Sequence, residues 1–111
     1  MMFPKPAKRV RDPEYMAAVG ELPCIGHTVE PNHRCGGWDH RLVEACHVGP
    51  HHGHKKADDN TTVPMCHGLH MAEENLAGPF RNWTKFQLQQ WRERAIADTR
   101  AKVAQLREWA A

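Results

Sequence analysis

Long apolar runs are missing from this chain of 111 residues. No stretch approaches the roughly 20 apolar residues that span a bilayer. No hydrophobic signal segment opens the sequence either, which predicts a soluble intracellular protein with no membrane partner. An excess of one charge is also missing: 15 Lys+Arg against 13 Asp+Glu leave a net charge of +2. Bulk electrostatics therefore make no case for nucleic acid, and any such case rests on local clusters. There is no internal repeat and no low-complexity tract. Cysteine is sparse at four residues, and without an export signal metal ligation is expected rather than disulfides. The length fits one domain with a modest core, of the size that gains from a metal staple.

What the chain does have is histidine, nine in all, six of them between Glu44 and Glu74. That stretch reads EACHVGPHHGHKKADDNTTVPMCHGLHMAEE. Its lead-in, Leu42 to Val48, alternates apolar and polar residues as a short half-buried strand does. Thr61 to Cys66 is a second β-branched run, which Pro64 confines to an edge or a bulge. From His67 the pattern suits a helix, on which His70 and Glu74 stand four apart and share a face. The order is strand, basic loop, strand, helix, and a histidine closes the first strand.

The remaining segments frame this unit. Residues 1–11 carry Lys5, Lys8, Arg9 and Arg11 with no acid, and are expected to form a flexible basic arm. Asp12 and Pro13 read as the N-cap and first position of a short helix that Gly20 ends, with Tyr15, Met16 and Val19 inward. Residues 24–41 are loop-like in composition, and a loop of that length needs a tether. Zinc ligation by Cys24, His27, His33 and Cys35 would supply one. Thr84 and Gln87 match a capping box. After them Leu88, Trp91, Ala95, Thr99, Val103, Leu106 and Ala110 recur at helical spacing, predicting a helix from Lys85 to near Trp109. Its stripe packs either on the chain's own core or against a second copy in a homodimer.

The chemistry that suits these residues is phosphodiester hydrolysis, which needs a base for water and a cation for the developing charge. His47, held at a strand end, is the candidate base, since imidazole titrates near neutrality. His70 and Glu74 offer a nitrogen and an oxygen to one divalent metal: magnesium, manganese or zinc. Lys55, Lys56 and Arg81 are candidate contacts to the DNA backbone. Cys46 reads as a small core residue or a structural ligand, because a strand directs it away from His47.

The chain resembles the HNH, or His-Me finger (ββα-metal), endonucleases, most closely the small phage and prophage nucleases of the Ref and YbcO type. The resemblance runs from about Pro13 to Trp83. It is carried by Pro13-Glu14-Tyr15, Leu22-Pro23-Cys24, Glu44 to Val48, Lys56, Asp59, Val63 to Cys66 and His70. It implies an α+β fold: a small ββα-metal core (residues 12–83) with a loop-rich, zinc-stapled N-terminal part and a long C-terminal helix (84–111). It also implies a DNA endonuclease in the cytoplasm of a bacterial host cell, with His47 as general base. His70 then takes the place of the metal-binding histidine, and Glu74 that of a second ligand one turn on. Lys56 and Asp59 match the loop that shapes the site, and Asp59 or Asn60 stands in for the asparagine of the HNH motif. Cys24 and Cys66 match structural-zinc positions. Leu69, three residues after Cys66, cannot ligate, so Cys35 and His27 complete the expected set. The alternative is a catalytically inactive, zinc-stapled DNA- or protein-binding module of the same fold.

Overall fold

A computed structural model describes residues 9–33, 35, 43–50 and 57–110. Among the described residues it is a mixed α/β fold with three α-helices and one two-stranded sheet. Helix α1 spans Pro13–Gly20, and the Asp12 side chain accepts from the Tyr15 N–H, the cap expected from the Asp-Pro pair. Tyr15 and Val19 are its buried residues. A single 3-10 turn, Ile25–Thr28, follows Cys24.

Strands β1 (Val43–His47) and β2 (Thr62–Cys66) pair antiparallel, from Val43 opposite Cys66 to His47 opposite Thr62. The register is unbroken, so side chains alternate strictly between the two faces. Ala45 and His47 leave β1 on the side of α1, where Ala45 packs against the cluster of Tyr15, Val19, Leu22 and Val103. Glu44 and Cys46 leave on the other side. Pro64 costs the pair little, because both strands of a two-stranded sheet are edges and an edge needs no donor on its free side.

Helix α2 (His67–Asn75) starts directly from β2, with Cys66 as its N-cap. It ends at Leu76, which takes the left-handed conformation at φ 49°. Helix α3 (Lys85–Ala110) opens with the full capping box: Thr84 N–H donates to Gln87 Oε1 at 2.8 Å, and Gln87 N–H donates to Thr84 Oγ1 at 3.1 Å. Leu88, Trp91, Ala95, Thr99 and Val103 are all buried. The apolar stripe is thus taken up by the chain's own core as far as Val103; Leu106 is 38% exposed. Trp91 meets Phe80 and Trp83 edge-to-face at 5.1 and 6.4 Å between ring centres, which fixes the helix against the turn after α2.

An ion pair between a buried carboxylate on α2 and a half-buried guanidinium on α3 ties the two helices together. Glu73 is 2% exposed and binds the Arg92 guanidinium through both its Nε, at 2.5 Å, and its Nη2.

The expected basic arm needs correction at its C-terminal end; residues 1–8 lie outside the described residues. Arg9 and Val10 are stitched to residues 57–59. Arg9 Nε donates to the Ala57 carbonyl at 3.1 Å, Val10 N–H donates to Asp58 Oδ1 at 2.7 Å, and Asp59 N–H donates to the Val10 carbonyl at 2.9 Å.

Candidate metal centre

Four ligating side chains converge at the end of the hairpin where α2 begins. The donor atoms of Cys24, His33, Cys35 and Cys66 all lie within 4.8 Å of one another. His33 Nε2 is 3.6 Å from Cys24 Sγ and 3.4 Å from Cys66 Sγ. Around a tetrahedral zinc, bonds of about 2.3 Å to sulfur and about 2.0 Å to nitrogen put those edges at about 3.5 Å. The four residues are therefore positioned to bind a metal ion, and three thiols with one imidazole suit zinc.

The local chain explains the convergence. Cys66 is both the last residue of β2 and the N-cap of α2, so its sulfur faces the free amides of the first turn. Leu69 N–H donates to Cys66 Sγ at 3.4 Å, and Cys66 N–H donates to Cys24 Sγ at 3.3 Å. Such donors stabilise thiolate charge around a cation. Without a cation, burial pushes the Cys24, Cys35 and Cys66 thiols up. Binding must displace their protons, so affinity falls as the pH drops.

The imidazole of the clamp corrects the expectation from sequence, which placed His27 there. His27 sits at an exposed position of the 3-10 turn, while His33 folds back over that turn. Gly26 makes this possible: a Cβ at Gly26 would lie 2.0 Å from the His33 ring. One signal for His33 was present in the sequence, since a ligating Cys35 carries the residue two before it to the same place.

At the opposite end of the hairpin His47 is held by a carboxylate. Its Nε2 is 2.8 Å from Asp59 Oδ1. Asp59 also accepts from Arg9 Nη2 at 2.8 Å and from the Asp12 backbone N–H at 2.7 Å. Burial alone would raise the Asp59 carboxyl, but the hydrogen bonds from His47, Asp12 and Arg9 outweigh it and hold it down at about 2. Asp59 is ionised, so Nε2 of His47 carries the proton facing it and Nδ1 is left as the basic nitrogen.

Comparison with family models, curated proteins and solved structures finds no match.

A second group lies on the other face of β1. Donor atoms of Glu44, Cys46 and His70 come within 4.8 Å of one another. His70 Nδ1 is 3.5 Å from Glu44 Oε2, and its Nε2 is 3.0 Å from Glu74 Oε1, one helical turn on. The shared face expected of His70 and Glu74 is present; Glu44 was not singled out from sequence. Cys46 is 3% exposed, and its thiol is pushed up to about 12 by burial, then by the carboxylates of Glu44 and Glu73. Of the other expected site residues, Arg81 is exposed in the turn before α3. Asn60 gives its carbonyl to Arg100 Nε at 2.9 Å, and its buried Oδ1 has no partner among the described residues. Lys55 and Lys56 lie outside the described residues.

Proposed function

We propose that this protein is a metal-dependent DNA endonuclease of the ββα-metal type. In this reading His47 is the general base, and a divalent cation binds on the His70 side of α2. The observation that carries it is the His47–Asp59 pair. A general base needs a second group to fix its tautomer and orientation, and Asp59 does both while leaving Nδ1 basic. The order β1, β2, α2, with His47 closing β1 and His70 on α2, adds support. The Cys24, His33, Cys35 and Cys66 clamp would be structural, holding the start of α2 on the hairpin. Lys55, Lys56 and Arg81 would meet the phosphates.

One observation favours a second reading, a zinc-stapled DNA- or protein-binding module without catalysis. His47 leaves β1 on the face opposite Glu44 and Cys46, so the base and the His70 group stand on different sides of the strand. Plasmid nicking with magnesium, manganese or zinc, with and without chelator, separates the two. Metal-restored nicking that His47→Ala abolishes supports the nuclease. Tight zinc with no nicking under any metal supports the binding module.

A further inference from the structure

Helical spacing alone makes His70 and Glu74 two ligands of one cation, but the distances divide their roles. His70 Nε2 is 3.0 Å from Glu74 Oε1, which is hydrogen-bond length. His70 Nδ1 is 3.5 Å from Glu44 Oε2, which is too long for a good hydrogen bond. It is close to the roughly 3.4 Å edge between a nitrogen and an oxygen bound to one tetrahedral zinc. The two ring nitrogens point in different directions, so one cation uses only one of them. A donor nitrogen of His70, a carboxylate oxygen of Glu44 and the Cys46 sulfur lie within 4.8 Å of one another.

We propose that Glu44 Oε2, Cys46 Sγ and His70 Nδ1 form a second metal site for a thiophilic divalent cation of the zinc class. Glu74 is then a positioning residue: it accepts the Nε2–H of His70 and turns Nδ1 toward the cation, the carboxylate–histidine–metal arrangement. A thiolate ligand selects zinc or cobalt over magnesium, which prefers oxygen and keeps its waters. Three protein ligands leave a fourth position open, as in zinc sites that activate water. Glu44 has 48% of its side chain exposed, so the group is reachable from solvent on that side. His67 Nδ1 lies 3.4 Å from the other oxygen of Glu44. Any catalytic use of this cation rests on the nuclease reading above; its binding does not.

The test is metal stoichiometry on the full chain, by elemental analysis after dialysis and by cobalt(II) titration. The parent should hold two zinc ions per chain. Cys46→Ala and His70→Ala should each hold one and keep the intense cobalt–thiolate absorption of the three-cysteine clamp, which shows that the fold is intact. Glu74→Gln should still bind two, with the second weakened about 10- to 100-fold, the usual effect of losing an orienting carboxylate. Millimolar magnesium should not displace the second zinc. The proposal is overturned if the parent holds one zinc, or if Cys46→Ala still holds two at unchanged affinity. It is equally overturned if Glu74→Gln loses the second ion as completely as His70→Ala. Two zinc ions with no nicking would keep the site and remove the nuclease; magnesium-dependent nicking with one zinc would do the reverse.

Discussion

Replacing Asp59 with Asn tests the electrostatic centre at the His47 end of the sheet. The residue is 4% exposed and its side chain keeps its shape in the variant, so the change removes charge rather than volume. Its carboxyl falls from an ordinary 3.8 to about 2 on folding. At about 1.4 kcal/mol per pH unit, ionised Asp59 contributes on the order of 2 kcal/mol that a neutral amide does not. For a chain of this size that corresponds to a melting temperature lower by roughly 10 °C. Because the folded value is the depressed one, the contribution is complete above about pH 4 and fades as pH falls toward about 2. Urea unfolding of parent and Asp59→Asn should therefore differ equally at pH 7 and pH 5.5, and the gap should narrow below pH 4. Acid would also strip any zinc held by the clamp, but the clamp sits at the Cys66 end of the sheet, four residues or about 13 Å along the strand from Thr62. Its loss is common to both chains and drops out of the difference. A gap under about 0.5 kcal/mol at pH 7, or one undiminished at pH 2, would refute the reasoning.

His33→Ala should release zinc to a colorimetric chelator and lower stability by on the order of several kcal/mol, while His27→Ala keeps both metal and stability. Arg92→Met strands the buried Glu73 carboxylate and should cost about 3 kcal/mol by denaturant titration; adding Glu73→Gln should recover much of it. His47→Ala should slow nicking by roughly a hundredfold to ten-thousandfold with metal content unchanged. His70→Ala should lose activity together with one metal ion, and parent-rate cutting by both variants would place the activity elsewhere.

The local signals in the sequence were strong where one residue does one job. Asp12 with Pro13, and Thr84 with Gln87, satisfy their own neighbouring amides, so their caps were legible without any tertiary information. Both strands and the start of α2 were legible from the alternation and its change of period. The choice between His27 and His33 was not, because spacing places both within reach of Cys24. The deciding fact is a steric one at Gly26, visible only once the turn is built. Arg9 was hidden for a similar reason. A basic residue among prolines reads as solvated, and its partner Asp59 lies 50 residues away. Glu44 was given no ligand role because its position in a strand says nothing about the helix that packs beside it.

Cys66 belongs to two constructions at once: it is the residue opposite Val43 in the sheet and a corner of the clamp. A slip of the hairpin by one residue would turn its sulfur to the other face, away from Cys24 and His33. A two-stranded sheet has little pairing energy with which to reject such a slip. A cation bound in the clamp would supply that rejection, because only the correct register can close around it. Zinc in this chain would thus act as a gauge of alignment as well as a fastener, and a metal-starved chain would be prone to mispaired strands before it was prone to unfolding.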